Sequence, residues 1–314
     1  MADVVCVGIL VADIVGKPVD KWPGRGELEL IDRLELHTGG CAASAAIALA
    51  KIGVDVSLIG KVGKDGFGDF MISALKSHGI DTAGVVRSER YNTSGTMVMV
   101  HSDGERSFIH YLGANGDFVE GDVNMDIVAK SPIMHIAGSF LMPSFDGEPT
   151  ARILKKAKAL GVTTCLDTAW DSTGKWMKVF EPCLPHIDYF LPSIAEAAML
   201  TGKQAPSDIA SALLDAGVGT VALKMGEAGS YIRTKDTEIA IPPFCVESVD
   251  ALGAGDCFAA GFLTGLVNKW DLERTGKFAN AVGAFCVTAL GATTGIKDQA
   301  TIEAFIESQT SCSC

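Results

Sequence analysis

The segment 132–167, "PIMHIAGSFLMPSFDGEPTARILKKAKALGVTTCLD", contains the pattern that decides the fold. An apolar run at 132–138 is followed by a helical pattern at 147–160 and by a second apolar run at 162–167. Short runs that are apolar at every position are typical of strands buried on both faces of a parallel sheet. The segment therefore predicts two parallel strands joined by a helix that covers the sheet.

The same alternation continues along the chain in both directions. Further strand candidates lie at 4–10, 56–62, 188–192 and 219–226, and further helix candidates at 41–52, 68–78, 194–201, 207–216, 255–268 and 273–289. This order indicates the α/β class, with a central, mostly parallel sheet flanked by helices. Neither an internal repeat nor a low-complexity linker interrupts the pattern, so we expect a single domain over residues 1–314.

Two segments, 27–40 and 93–113, break this rhythm because they alternate apolar and polar residues, as exposed antiparallel strands do. The Asp-Gly pair in "HSDGER" predicts a hairpin turn inside the second segment. We expect a small projecting β-sheet, a lid with approximate bounds 11–38 and 91–114. One face of such a sheet needs cover, so it either closes over a ligand or forms a homodimer with a second subunit.

The composition limits the classes of partner. The chain has 314 residues and a net charge of −12, so no basic excess exists to neutralise the phosphates of nucleic acid or of an anionic membrane. No signal peptide and no apolar run long enough to span a membrane is present. We expect a cytoplasmic protein that binds neither nucleic acid nor membranes.

The nine cysteines are scattered, mostly within apolar runs, which is typical of buried thiols in a reducing compartment. The one close pair, Cys312 and Cys314, lies in the C-terminal tail. We interpret this tail as frayed; the alternative, a metal or redox site, has no neighbouring cysteine–histidine cluster to support it.

The segment "DALGAGDCFAAGFLTGLV", 250–267, carries the clearest chemical signal. Gly253, Ala254 and Gly255 form a turn of small residues before a helix, so free backbone N–H groups can face an anion without bulky side chains in the way. Asp256 places a carboxylate beside this anion hole, which suits a base that accepts a proton from an attacking hydroxyl. Taken alone, the turn is also compatible with an ordinary helix start.

At these residues the chain resembles the ribokinase/PfkB carbohydrate kinase family, whose C-terminal signature is D-T-x-G-A-G-D. The match is "DALGAGD", with Ala251 in the usual Thr position, and the family's N-terminal glycine signature is matched by "TGGCAASAAIALAKIGVDVSLIGKVGKDGFG", 38–68. The resemblance implies a ribokinase-like fold and transfer of the γ-phosphoryl group of ATP to a hydroxyl of a sugar or sugar acid. Fructokinases, 2-keto-3-deoxygluconate kinases and ribokinases are the types implied, with Asp256 as the catalytic base.

The resemblance also implies a substrate site. Gly39 and Gly40 precede a helix and would meet substrate oxygens with bare backbone, although close helix–sheet packing explains them equally well. Asp13 lies where the family has a carboxylate that binds two substrate hydroxyls. Ser44 stands where relatives commonly carry an Asn that contacts the sugar, so the identity of the sugar stays open.

The nucleotide-binding residues that the resemblance implies are Lys224, Gly226, Gly229 and Asn280. The first three lie in "LKMGEAGSYI", 223–232, for which an ordinary glycine hairpin is the alternative. Asn280 lies on an otherwise apolar helix and needs a hydrogen-bond partner, which either a ligand or the backbone can supply.

Two carboxylates are the implied metal ligands. Glu196 in "SIAE" corresponds to the family's N-x-x-E element for Mg²⁺, with Ser193 in place of Asn, and the same pair predicts a helix-capping box. Asp250, with the loop 290–295, is the candidate for a monovalent cation such as K⁺, which many relatives use. Asp167 ends a strand, and we interpret it as a turn cap outside the site.

Three other functions compete with sugar phosphorylation. A nucleoside kinase is the rival within the same family, and a ligand sensor that kept the fold but lost catalysis is the rival from another class. An oxidoreductase is the third. No Gly-Lys pair is followed by Ser or Thr, which excludes a Walker A loop, and the first strand is not followed by the glycine fingerprint of a dinucleotide fold.

Overall fold

The computed structural model describes residues 1–309, so the Cys312 and Cys314 tail lies outside the described part of the chain. The described residues form two β-sheets and the helices that cover the larger one. The strands are β1 Val4–Gly8, β2 Val11–Lys17, β3 Arg33–Gly39, β4 Val56–Gly63, β5 Asp81–Ser88, β6 Gly95–Val100, β7 Arg106–Tyr111, β8 Ile133–Ser139, β9 Thr163–Thr168, β10 Tyr189–Phe190, β11 Thr220–Lys224, β12 Ser230–Arg233 and β13 Glu238–Ile241.

The helices connect these strands and lie on both faces of the large sheet. They are α1 Cys41–Ile52, α2 Gly66–Ser77, α3 Gly113–Gly116, α4 Met125–Val128, α5 Glu148–Ala159, α6 Met177–Phe180, α7 Ile194–Thr201, α8 Pro206–Asp215, α9 Ala254–Val267, α10 Leu272–Val287 and α11 Gln299–Gln309. None of the helices within residues 1–309 is long and apolar enough to cross a membrane.

The large sheet has the strand order β13-β12-β11-β10-β9-β8-β1-β4-β5. Every pair from β11 to β5 is parallel, and β12 and β13 extend the β11 edge in antiparallel fashion. The predicted strand–helix–strand segment is confirmed as β8, α5 and β9, with β8 and β9 adjacent in the sheet. The α/β class, with a central, mostly parallel sheet, is therefore confirmed.

Strand β1 shows why the apolar runs are continuous. All of its residues are buried, and its side chains alternate between two hydrophobic clusters, with Val4 and Cys6 in one and Val5 and Val7 in the other. Helices α1 and α9 cover the first of these faces and α5 the second. A strand covered on both faces has no solvent-facing position for a polar side chain.

The small sheet has the strand order β3-β2-β6-β7. The β6–β7 hairpin is confirmed, with Gly104 at a φ of 93° between its arms. The β2–β3 pair is also antiparallel, but β2 and β6 pair in parallel, so the small sheet is not antiparallel throughout. Of the segment predicted at 27–40, residues 27–32 form no strand, and strand β3 begins at Arg33.

Candidate active site

The phosphate-binding turn predicted from the sequence lies at the start of α9. Gly253 is the residue before the helix and has a φ of 77°, a conformation that side chains other than glycine rarely adopt. A Cβ at this position would lie 2.6 Å from the carbonyl oxygen of Ala292, so space as well as backbone conformation requires a glycine. The next residues, Ala254 and Gly255, open α9, whose first turn contains Asp256.

Asp256 is surrounded by side chains from α1. The Cys41 thiol and the Ser44 hydroxyl both donate hydrogen bonds to its carboxylate. Burial raises the pKa of Asp256 to about 6, against the opposing effects of the Lys224 charge and of these hydrogen bonds. Ser44, which the sequence assigned to the sugar, thus contacts the candidate base, and Cys41 is a neighbour that the sequence analysis did not identify.

Lys224 places a positive charge beside Gly255, close enough to act on the candidate base. Its Nζ donates to Asp167 Oδ1 at 2.8 Å and Oδ2 at 2.6 Å, and a Cβ at Gly255 would lie 3.2 Å from it. Burial disfavours the charged amine, but the carboxylates of Asp167, Glu196 and Asp256 outweigh this effect and raise the pKa of Lys224. The interpretation of Asp167 as an isolated turn cap is therefore wrong, because its carboxylate holds Lys224.

Asp13 lies on the inner face of the small sheet. The strand register forms a row of side chains across all four strands, His37, Asp13, Thr96 and His110. Burial raises the pKa of Asp13 to about 6, although a hydrogen bond from Thr96 and the proximity of His37 oppose this shift. Gly39 lies directly against Asp13, because a Cβ there would overlap the carboxylate oxygen Oδ2.

A cavity of about 450 Å³ separates this inner face from the turn before α9. Asp13, His37 and Arg106 line it from the small sheet, and Asp250 and Leu252 line it from the other side. The inner face of the small sheet therefore faces a cavity, and its role as a lid stays a prediction. Gly40, with a φ of 91°, packs against the backbone of Ile9 and Val11 rather than lining this cavity.

A second cavity, of about 520 Å³, lies on the other side of the same turn. The four residues predicted to bind the nucleotide all line it together with Ala254 and Gly255: Lys224, Gly226, Gly229 and Asn280. The Asn280 amide donates to the carbonyls of Ile241 at 3.3 Å and Pro242 at 2.9 Å, so the backbone supplies its partners here.

Glu196 and Asp250 were the predicted metal ligands. Glu196 forms the predicted capping box with Ser193 and also accepts a hydrogen bond from Thr168 at 3.1 Å. Asp250 forms an ion pair with Arg106 at 2.6 Å. Within residues 1–309, no group of three or more histidine, cysteine, aspartate or glutamate side chains is arranged to hold a metal ion.

A model of the pfkB family of carbohydrate kinases matches residues 1–299. The chain belongs to this family. The recognition made from the two signatures is therefore confirmed, and the protein is a carbohydrate kinase, a phosphotransferase with an alcohol group as acceptor. This carbohydrate kinase is 29% identical over 270 residues to fructokinase-2 of Oryza sativa subsp. japonica, with 81% of this chain and 80% of the relative covered.

Two further comparisons span almost the whole chain. The 2-dehydro-3-deoxygluconokinase of Bacillus subtilis is 26% identical over 296 residues, which cover 90% of this carbohydrate kinase and 91% of the relative. The structure of Arabidopsis thaliana ribokinase complexed with ribose and ATP is 26% identical, with a TM-score of 0.86 and coverage of 98% of this chain and 99% of that one.

Proposed function

We propose that this carbohydrate kinase transfers the γ-phosphoryl group of ATP to a hydroxyl of a sugar or sugar acid, with Asp256 as the catalytic base. The observation that carries the proposal is the position of the turn before Asp256 between two cavities. One cavity contains the Asp13 carboxylate, which suits a polyol, and the other contains the predicted nucleotide residues. A base at this turn lies where a hydroxyl from one side would meet a phosphoryl group from the other.

The surroundings of Asp256 suit proton transfer. With a pKa of about 6, the carboxylate is ionised at neutral pH and still basic enough to accept the proton of an attacking hydroxyl. The backbone N–H groups at Gly253–Gly255 and the Lys224 ammonium would compensate the negative charge of the group in transfer. ATP supplies the phosphoryl group, and Mg²⁺ neutralises charge on its phosphates when both are bound.

Glu196 is the residue that we propose for Mg²⁺. Within residues 1–309, its hydrogen bonds from Ser193 and Thr168 end at one oxygen, Oε2, so Oε1 remains for a metal-bound water. Mg²⁺ usually keeps several waters and uses one or two carboxylates together with substrate phosphates. A single glutamate whose charge acts on Lys224 and Asp256 is compatible with such a site.

The residues at Asp250 do not fit a monovalent cation. Both carboxylate oxygens accept hydrogen bonds, from the backbone N–H groups of Leu252 and Gly291, and one of them also pairs with Arg106. We therefore assign no step to K⁺.

We also propose a homodimer through the small sheet, whose outer face is apolar. The register forms a second row across its four strands: Leu36, Ile14, Met97 and Ile109. Leu36, Met97 and Ile109 are 39%, 48% and 46% exposed, which is unusual for aligned apolar side chains on a sheet.

A substrate panel at saturating Mg-ATP tests the proposed reaction. Fructose, 2-keto-3-deoxygluconate and ribose represent the sugar kinases, and adenosine and myo-inositol represent the nucleoside and polyol alternatives. We expect turnover of at least one of the first three. Turnover of adenosine alone would favour the nucleoside kinase, and absence of any transfer would favour the ligand sensor.

Two variants assign the roles within the site. Asp256→Asn should lower kcat by orders of magnitude at nearly unchanged ATP affinity, and retention of more than about a tenth of kcat, ~1.4 kcal/mol of barrier, would contradict its role as base. Asp13→Ala should raise the sugar KM by an amount that corresponds to about 2 kcal/mol of lost binding energy. Asp103→Ala is the control, because it removes an exposed carboxylate of the same small sheet, in the β6–β7 turn, that does not line the cavity.

A further inference from the structure

We infer that the position predicted for a monovalent cation is held by two cations of the protein itself, Arg106 and Lys51, so that phosphoryl transfer proceeds without K⁺. The inference rests on the proposed kinase activity and concerns how its phosphate-binding turn is organised. Arg106 comes from β7 of the lid and Lys51 from the end of α1, and they reach the two parts of the same site, Asp250 and the loop 290–295.

Both carboxylate oxygens of Asp250 already accept hydrogen bonds from the protein, and one of them pairs with a fixed cation. Oδ1 accepts from Arg106 Nη1 at 2.6 Å and from the Leu252 N–H at 2.7 Å, and Oδ2 accepts from the Gly291 N–H at 2.8 Å. The side chains of Asp250 and Arg106 are 3% and 16% exposed, so this ion pair is largely shielded from water. A guanidinium held this way supplies the positive charge that the carboxylate requires.

The carbonyl groups nearby are also engaged. K⁺ is typically bound by several backbone carbonyls that replace its hydration shell. Here the Ala292 carbonyl accepts from the Cys257 thiol at 3.2 Å, and the single S–H of Cys286 can be donated either to the same carbonyl at 3.2 Å or to the Leu252 carbonyl at 3.3 Å. The Thr293 carbonyl accepts from Lys51 Nζ at 2.7 Å.

The positive charges of Arg106 and Lys51 also disfavour the binding of K⁺. Two fixed cations within this small region repel a third, and partial burial makes the repulsion stronger than it would be in water. A K⁺ ion would therefore have to compete with Arg106 for Asp250 and with Lys51 for the Thr293 carbonyl, against the repulsion of both charges. Arg106 belongs to β7 of the small sheet, so the cation that pairs with Asp250 comes from a strand that also lines the sugar cavity.

The first test measures K⁺ binding and K⁺ dependence separately. The wild-type protein is exchanged into choline chloride, and thermal unfolding and initial rates are followed as KCl or NaCl replaces choline at constant ionic strength. We expect no K⁺-specific shift in melting temperature and rates that stay within about twofold. A K⁺-specific rise in melting temperature together with strong activation by K⁺ would overturn the inference. The melting measurement needs no turnover, so a protein that phosphorylates nothing on the panel but shows no K⁺-specific shift contradicts the proposed function alone.

The second test removes the guanidinium. Arg106→Met should lower kcat, and added guanidinium or K⁺ should restore part of it, because the place beside Asp250 is then free. Arg106→Lys keeps a charge and should remain independent of K⁺. Arg25→Met removes an exposed arginine from the β2–β3 connection and is the control. If Arg106→Met raises only the sugar KM, with kcat unchanged and no response to either cation, Arg106 is a sugar ligand and the inference is wrong.

Discussion

The pKa of Asp256 results from two opposing effects. Burial favours the protonated carboxyl, and the charge of Lys224 is the largest contribution that favours the ionised form. Only the ionised carboxylate accepts a proton, so kcat should be full well above the pKa of about 6 and fall as the pH drops through it. Lys224→Met removes the charge and should move this acid limb to higher pH, whereas Lys224→Arg should leave it nearly in place.

The comparison is made on kcat at saturating sugar and ATP, because burial also raises the pKa of Asp13 to about 6. Lys224→Met leaves Asp167 buried without its partner, so Asp167→Asn is added to it, and circular dichroism verifies the fold. The double variant is compared with Asp167→Asn alone, because the Asp167 charge also interacts with Asp256. An acid limb that does not move would show that the Lys224 charge does not act on the catalytic base.

A second prediction at the residue scale concerns His135 and the pH dependence of the stability of the folded state. His135 lies in the centre of the large sheet between Cys6 and Cys165, and neither ring nitrogen has a hydrogen-bond partner within residues 1–309. Burial lowers its pKa from 6.5 to about 3, so between these values the unfolded chain binds a proton that the folded protein does not. The folded state should therefore lose stability as the pH falls below the unfolded pKa, by about 2 kcal/mol at pH 5.

The measurement is denaturant unfolding of wild type and His135→Leu at several pH values. The buried carboxylates with raised pKa values act in the opposite direction but are common to both proteins, so they cancel in the difference. The free energy of unfolding of His135→Leu, relative to that of wild type, should rise by about the same 2 kcal/mol as the pH is lowered from 7 to 5. Equal pH dependence in the two proteins would contradict the prediction.

The site residues that the sequence predicted belong to local motifs. Gly253, Asp256 and the residues around Gly226 are recognisable because a turn before a helix, or between two strands, is contained in a few consecutive residues. Asp167 was misinterpreted because its partner, Lys224, lies 57 residues away on another strand. The periodicity of a single sequence does not show which strand ends face each other. The Arg106–Asp250 ion pair could not be predicted for the same reason.

At the scale of elements, the seven helices that were predicted have bounds within about two residues of the predicted ones, since their apolar spacing repeats over several turns, whereas α11, Gln299–Gln309, was not predicted. Helix α7, Ile194–Thr201, has the predicted bounds, and α9, Ala254–Val267, differs by one residue at each end. Strand β5 was missed because exposed residues alternate with buried ones in its first half and partly buried ones follow, so it lacks the continuous apolar run of β1. The parallel β2–β6 pairing depends on tertiary contacts that alternation does not encode.

The prediction at the scale of elements concerns hydrogen exchange in the small sheet. Its inner face lines the sugar cavity, so sugar binding should protect the amides of β3 and β7, its two edge strands, from hydrogen exchange more than those of the central strands β1 and β8. Hydrogen exchange followed by mass spectrometry with saturating sugar measures this directly. A nucleotide analogue without sugar is the control and should protect Gly226–Gly229 instead. Unchanged exchange in both edge strands would rule out a lid.

At the scale of the whole molecule, the two faces of the small sheet differ in polarity and in what covers them. The inner face has polar side chains above a cavity that a sugar would fill, whereas the outer row from Leu36 to Ile109 is exposed apolar surface with nothing in residues 1–309 to cover it. A sheet of four strands is too thin to form a core of its own, so its outer face gains most by packing on an equivalent sheet. A two-fold symmetric contact would join the same face of two copies.

The wild-type protein should therefore have the mass of a dimer by light scattering, and Ile109→Glu should shift it towards the monomer. A glutamate at the β7 end of the apolar row would have to be buried without a partner in the dimer but would remain hydrated in the monomer. Leu160→Glu is the matched control, because Leu160 is similarly exposed, at 54%, but follows α5 on the large sheet and should leave the dimer intact. A wild-type monomer at all concentrations, or equal masses for the two variants, would contradict an interface at this face.

Sugar KM should also rise in the Ile109→Glu monomer, because the strands that line the sugar cavity would lose the packing that holds them in place.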